Sequence, residues 1–493
     1  MKLPIVSVPE LLQSARDAGY LSTAHAVAEL VDNAVQAGAT EVAVTVESAD
    51  EGLQITVRDD GCGMDAATLA TSLRLGGSTR YGDRGGLGRY GMGLPSSSLS
   101  QARRVDVWSR RDGEGACHVA LDLDEVLRGC SEVEVTSVDL AELAPSGTVV
   151  RWSRCDRLVG VSARRVAREL RAKLGRTFRR FIWAGLKLHV DGDPCPPIDP
   201  LYLDERAPLS GARLYCEPLI VPIATAMGAG DVTLRFSELP VERWQSWSVG
   251  EKRRAGVTAS AAVSVMRAGR EVDHAWLFMG DKKRESYDAW WRCEVEFPPS
   301  LDEVFGLTFS KQQVRPSAEL VEALTPIVSP TAHALNRRAR VAHNTIAARA
   351  RCAGAERRAS KVAERLPPLT GEADAADVAL IERVGRLYPE LSIVADGPNV
   401  RLVEDDLGGR PLIEVARAGQ RVVVVMNRAH PYYVEAYAAL AGSGEPGAAE
   451  RRTQLELLLI ALARAEVDAG ADREQARALR ARWSDVLAEH LRG

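Results

Sequence analysis

Glu29-Leu30-Val31-Asp32-Asn33-Ala34, followed one strand-hairpin later by Asp59-Asp60-Gly61-Cys62-Gly63-Met64, decides how this chain is read. The first stretch lies in a run of good helix formers between Ser22, a candidate cap, and Gly38, a natural stop. Ala26, Val27, Leu30, Val31, Ala34 and Val35 are apolar, while Glu29, Asp32, Asn33 and Gln36 recur at three- and four-residue offsets and share a polar face. Thr40 to Val46 and Leu53 to Val57 read as strands joined by a polar turn from Ser48 to Gly52. The second strand delivers Asp59 into a turn where Gly61 and Gly63 permit close backbone approach. A helical carboxylate and amide together with a glycine-interrupted acidic turn suit a nucleotide and Mg²⁺ pocket. Each motif alone also fits a plainer role, the wet side of a surface helix or a bare turn.

The rest of the chain sets the frame. Its 493 residues exceed what one hydrophobic core usually holds, so two or three domains are expected. Hydrophobic residues at 46% and charged residues at 26% are ordinary for a globular protein, and a formal net charge of -4 gives no whole-chain argument for nucleic acid. The eight cysteines are dispersed and form no Cys-x-x-Cys pair, which argues against a disulfide framework or a structural zinc site. No basic leader with an apolar core and no apolar run of about 18 residues occurs, so a cytoplasmic setting without a membrane partner is expected.

After a helix-like stretch from Asp65 to Leu75 come Gly76-Gly77-Ser78 and Arg84-Gly85-Gly86-Leu87-Gly88-Arg89-Tyr90-Gly91-Met92-Gly93-Leu94. This is too glycine-rich for a helix interior and suits a lid leading into a helix near Ser96 to Gln101, whose first backbone donors can face phosphate. A strand from Arg104 to Trp108 and a turn-and-strand Gly147-Thr148-Val149-Val150-Arg151-Trp152 follow. The lid is neither the lysine-containing phosphate loop nor a dinucleotide fingerprint.

With these four signals in order, residues 1–155 resemble the gyrase, Hsp90, histidine-kinase and MutL superfamily of ATPases, most closely its prokaryotic MORC-like branch. The resemblance implies an α+β chain whose first part is a Bergerat-type ATP-binding sandwich of helices on a sheet, with ATP and Mg²⁺ as cofactors. It implies Glu29 as general base and Asn33 as the Mg²⁺ ligand. Asp59 would accept from the adenine amino group with Thr148 in support, and Gly61, Gly63 and Met64 would shape the wall. Gly85, Gly86, Gly88, Arg89, Tyr90, Gly91, Met92, Gly93 and Leu94 would wrap the phosphates, and Lys311, in Thr308-Phe309-Ser310-Lys311-Gln312-Gln313, would be the phosphate-sensing cation of a transducer domain. Pro95 departs from the pattern, standing where MORC-like lids often continue with a basic residue.

Residues 156–330 are expected to be a transducer-like α/β domain with a basic connecting helix, carrying strands such as Leu186 to Val190, Val232 to Phe236, Ala262 to Val265 and Val295 to Phe297. In that helix Arg164, Arg165, Arg168, Arg171, Lys173, Arg176, Arg179 and Arg180 accompany Val166, Leu170, Leu174, Phe178 and Phe181, a pattern that fits either a nucleic-acid backbone or packing between domains. A helical connector over 331–370 and an α/β and helical partner-binding region over 371–493 complete the division, with His430 structural and the long helices after Arg451 open to packing or a protein partner. By resemblance the whole is an ATP-dependent dimeric clamp, a homodimer acting on DNA in defence or chromosome maintenance. The alternatives are a chaperone-like or signalling ATPase that remodels a protein, and an ATP-controlled scaffold of low turnover.

Overall fold

The computed structural model describes residues 12–13, 16–17, 19–74, 93–130, 132–139, 145–258, 263–307, 313–370, 372–388, 399–409, 411–442 and 447–492. The chain divides into two compact units, residues 1–339 and 340–493.

The first unit opens with helix α1 (Thr23–Gln36) and the hairpin of β1 (Glu41–Ala49) and β2 (Gly52–Asp59). Val42, Val44 and Val46 alternate with exposed or half-exposed neighbours, as do Leu53, Ile55 and Val57, so one face of the hairpin is apolar and covered. Helices α2 (Ala66–Ser72) and α3 (Gly93–Gln101) follow, then β3 (Arg104–Arg110), β4 (Ala116–Asp122), β5 (Val135–Val138) and β6 (Gly147–Ser153). Helices α4 (Ala163–Thr177) and α5 (Arg179–Trp183) lead to β7 (Lys187–Val190) and the short β8 (Asp193–Pro194). The eight strands form one sheet in the order β5-β4-β3-β6-β2-β1-β7-β8. All neighbours are antiparallel except β7, which runs parallel to β1 with Leu188 opposite Val42. Lys187 to Val190, expected to open the second sheet, therefore lies in the first. Its two inward residues, Leu188 and Val190, complete the same apolar face.

Val27, Leu30 and Val31 of α1 and Leu170, Leu174 and Phe178 from the α4 segment pack on this face. The result is a mixed α/β domain of helices on a sheet, consistent with the Bergerat-like expectation. Ser22 occupies the cap position of α1 in extended backbone, yet its hydroxyl meets His25 Nδ1 at 2.8 Å and caps no amide.

A second sheet in the same unit has the order β10-β11-β14-β12-β13, with β9 (Arg213–Leu214) also on β11. Its strands are β10 (Leu219–Thr225), β11 (Gly228–Glu238), β12 (Val263–Arg267), β13 (Arg270–Ala275) and β14 (Trp291–Phe297). One face carries Val232, Leu234, Phe236, Val263, Val265, Cys293 and Val295 into an apolar core. The other holds Arg235, Ser264, Glu294 and Glu296, a charged face that strands this buried cannot leave without partners.

Helix α6 (Ala318–Ala363) runs through Pro326 and Pro330, and so begins before the connector expected at 331. Proline removes a backbone bond and crowds the preceding turn. The buried stripe Leu320, Leu324, Val328, Ala332 and Leu335 holds the helix to the second core regardless.

The second unit contains helix α7 (Ala375–Leu387), strands β15 (Val400–Asp405), β16 (Ile413–Ala418) and β17 (Arg421–Asn427), and helices α8 (Ala448–Asp468) and α9 (Arg473–Arg492). The sheet order is β15-β17-β16, and both faces of the central Val422 to Met426 run are buried. His430 is buried and meets Ser484 Oγ at 3.0 Å through Nε2. No described helix is long and apolar enough to cross a membrane.

Candidate nucleotide site

The two motifs quoted first lie side by side, with Cys62 N–H donating to Ala37 O at 2.9 Å just past the end of α1. Asp59 is the last residue of β2, and the sheet register sets it opposite Thr148 of β6, which in turn faces Ser109 of β3. Three short polar side chains thus line up across three strands. Gly61 N–H donates to Asp59 Oδ1 at 2.9 Å, and a further backbone bond from Thr148 also favours the ionised carboxylate. Burial outweighs both, and the Asp59 carboxyl is pushed up to about 6.

The glycines are needed for space. Gly63 has φ +68, and a Cβ there would stand 1.9 Å from the carbonyl oxygen of Arg110. At Gly61 the Cβ would fall 2.7 Å from that of Ala37, and at Gly147 it would lie 2.2 Å from the Asp59 carbonyl oxygen. Met64 packs its side chain on the core and donates its backbone N–H to Ser109 Oγ at 2.8 Å.

Ser109 is the hub that the sequence alone did not reveal. Its buried hydroxyl donates to Gly147 O and lies 3.0 Å from Thr148 Oγ1 while accepting from Met64. With one proton to give, a Ser109 that donates to Gly147 must accept from Thr148. Thr148 then keeps only lone pairs for a ligand. Asp60, the second acid of the motif, turns away and binds Thr40 N at 2.7 Å, Thr40 Oγ1 at 2.6 Å and Glu41 N at 2.8 Å, pinning the entry to β1.

The expectation of a single polar face on α1 is only half met. Asn33 is exposed, whereas Glu29 and Asp32 are 2% and 0% exposed. The reason is Arg270, the first residue of β13. Its Nε lies 2.9 Å from Asp32 Oδ1 and its Nη2 3.5 Å from Glu29 Oε1. On the other side, Gly93 opens α3 so close to Glu29 that a Cβ would sit 3.2 Å from Oε2. Tyr20 adds a buried hydroxyl whose proton is held more tightly by burial and by the charge of Glu29. Leu94 packs on the core, and Ser96, in the first turn of α3, is buried with no hydrogen-bond partner for its hydroxyl among the described residues. Gly85, Gly86, Gly88, Arg89, Tyr90, Gly91, Met92 and Lys311 lie outside the described residues.

The basic helix divides its charges. Arg176 and Arg179 grip Glu271 at 2.7 and 3.0 Å, Arg179 reaches Glu294 at 2.6 Å, and Arg180 takes Glu294 at 2.7 Å and also Glu296. Burial alone would raise Glu271, but Arg176, Arg179 and Lys173 overcome it and hold the carboxyl at about 2. Arg165 pairs with Glu169 along the helix and Arg171 with Asp193, while Arg164 and Arg168 are exposed. The C-terminal half of the stripe is thus internal to the first unit. A cavity of about 510 Å³ opens beside Gly52, at the opposite end of β2 from Asp59, and none of the motif residues lines it.

Residues 21–146 match the family model of histidine kinase-, DNA gyrase B-, and HSP90-like ATPases. This stretch is similar to GHKL-type ATPase domains. Over 113 residues the chain is 31% identical to ATPase MORC2 of Homo sapiens, 21% of this chain and 11% of that protein. Over 119 residues it is 34% identical to the DNA mismatch repair protein MutL of Streptococcus thermophilus, 22% of this chain and 18% of the relative. A MutL of Sphingopyxis alaskensis is 35% identical over 119 residues, 22% of this chain and 19% of its own length. The chain therefore spans less than a fifth of the length of each of these relatives. The GHKL match ends just before Gly147, so Thr148 and Arg270 lie beyond it.

Proposed function

We propose that the GHKL domain binds ATP with Mg²⁺ and hydrolyses it to drive closure of a dimeric clamp. The observation that carries this reading is the pairing of a buried Glu29 one helical turn from exposed Asn33 with an acceptor pair, Asp59 and Thr148, at the end of the neighbouring strands. Two acceptors suit the exocyclic amino group of adenine and disfavour the carbonyl of guanine. Asn33 offers one amide oxygen, a donor set that fits Mg²⁺ completed by phosphate and water, and no cluster of three metal-ligating acids, histidines or cysteines occurs among the described residues. Bound there, Mg²⁺ supplies charge compensation to the phosphates. Glu29 orients the attacking water and takes its proton. The backbone donors opening α3 at Gly93 and Leu94 face the developing phosphate charge. Lys311 is the transducer cation of this reading, and the lid from Arg84 to Leu94 its cover.

DNA is the preferred macromolecular partner, in defence or chromosome maintenance. Support comes from the MutL relatives, named for DNA mismatch repair, and from exposed Arg164 and Arg168 on α4. A protein client is the second reading, favoured because Arg176, Arg179 and Arg180 are spent on the buried carboxylates of Glu271 and Glu294. Exposed Leu479, Trp483 and Val486 at helical spacing on α9 add an apolar stripe suited to a protein. Light scattering with a non-hydrolysable ATP analogue, with and without duplex DNA, separates these readings. The clamp predicts nucleotide-dependent dimers and DNA retention that weakens steeply with salt. Monomers at every nucleotide state would remove the clamp, and dimers that ignore DNA would favour the protein client.

A further inference from the structure

We propose that Arg270 is the positioning residue of the Glu29 carboxylate and that Asp32 is its anchor, an inference that rests on Glu29 as the general base. Three charged side chains share one dry site, with Arg270 3% exposed and both acids on the same face of α1. Two like charges at this spacing repel, and burying either without a counter-ion is costly. The guanidinium resolves both problems, but it does so unequally. Its shorter contact, an ion pair of Nε with Asp32 Oδ1 at 2.9 Å, goes to Asp32, and its longer one, a hydrogen bond that Nη2 donates to Oε1 at 3.5 Å, goes to Glu29. A group whose task were only to neutralise the catalytic carboxylate would sit closest to it. Here the nearer charge is Asp32, which holds the guanidinium in place electrostatically, and the rigid, planar Arg270 fork carries that placement across to Glu29 Oε1. Oε2 is left on the side of Gly93, where α3 begins. Phe178, with its ring centre 5.9 Å from Arg270 Cζ, backs the guanidinium.

The strand that carries Arg270 is itself held at two points. Glu271 is locked by Arg176 and Arg179 and by Ser264 Oγ at 2.7 Å. Asp273 accepts the backbone N–H of Val314 at 2.9 Å. Thus β13 joins the second sheet, the segment leading to α6 and the helix bearing the base. Asp32, which has no assigned role in the nucleotide chemistry above, gains one: it fixes the arginine that fixes Glu29.

The test uses the full chain and four variants, Arg270→Met, Arg270→Lys, Asp32→Asn and the Asp32→Asn/Arg270→Met double, with ATP affinity, single-turnover hydrolysis and thermal stability measured for each. A misaimed catalytic group costs on the order of 100-fold in rate. We expect Arg270→Met and Asp32→Asn each to slow hydrolysis by about that factor while ATP affinity stays within about threefold. The double variant should be no slower than the slower single, and Arg270→Lys should recover part of the rate. Wild-type turnover by Arg270→Met or Asp32→Asn, or a rate loss that merely follows loss of ATP binding or of folding, overturns the proposal. If Arg270→Met does not fold, Asp32→Asn and Arg270→Lys decide on the same criteria. Glu29→Ala runs alongside: full turnover there removes the base reading itself, whereas an inactive Glu29→Ala beside a fully active Arg270→Met removes only the role of Arg270.

Discussion

In the proposed site Asp59 accepts the adenine amino group best when ionised, and it is buried where ionisation is opposed. Its carboxyl, raised by burial to about 6, is half protonated near that pH and ionised above 7. A donor arriving from the base favours the ionised form, so ATP affinity should rise with pH through about 6 and level off above 7. Titration calorimetry at pH 6 in buffers of different ionisation enthalpy should show proton release on binding, and Asp59→Asn should abolish it. A pH-independent affinity would mean that Asp59 does not face the base. Ser109→Ala tests the neighbouring proton arrangement. With Ser109 gone, the Thr148 hydroxyl is free to turn its proton toward the ligand, and the preference for ATP over GTP should fall by roughly tenfold, the scale of one misdirected hydrogen bond. Unchanged selectivity would make Ser109 a purely structural hub. Asp59 and Thr148 were legible because their motifs are local runs. Ser109 was not, because only the register of β3 on β6 brings it to Thr148.

At the level of elements, the α4 and α5 arginines show how a pattern can be recognised while its destination stays open. Apolar spacing correctly indicated which residues pack, since Val166, Leu170, Leu174 and Phe178 are all in the core. The fate of the charges depended on Glu271, Glu294 and Glu296, on strands about a hundred residues away. Removing one partner of a buried pair leaves an uncompensated charge, so Arg179→Ala should cost about 3–5 kcal/mol in urea unfolding, while Arg168→Ala on the exposed face should change stability by less than about 0.5 kcal/mol. Equal effects would refute the division of the helix into an internal and an external half. Glu271 adds a pH dependence of known sign. Its folded carboxyl sits at about 2, below the ordinary 4.5, so its stabilisation is complete above about 4.5 and is lost as pH falls from there toward 2. The proline-containing α6 is the converse case. The expected division placed a connector from 331, and the helix that contains it starts at Ala318, with a buried stripe every third or fourth residue running across that position.

Across the molecule, the juxtaposition of the candidate site residues between 29 and 148 was legible because helix, hairpin and glycine turn follow one another in the chain. What connects that end to the second sheet was not, since Arg270 lies 241 positions from Glu29 and carries no motif of its own. The second unit offered two clear strands, Ile413 to Ala416 and Val422 to Met426, but not β15, whose Val-Arg-Leu-Val-Glu-Asp run mixes charge with a parallel, buried position. The central claim concerns a single carboxylate, buried on α1 between an arginine from the second sheet and the start of α3. ATP hydrolysis by the full chain and by Glu29→Ala, with ATP binding measured on both, tests it most directly. A slow, Mg²⁺-dependent turnover that falls by about 10²–10⁴-fold in the variant, at undiminished ATP affinity, is the predicted result. Equal turnover by both proteins would contradict it.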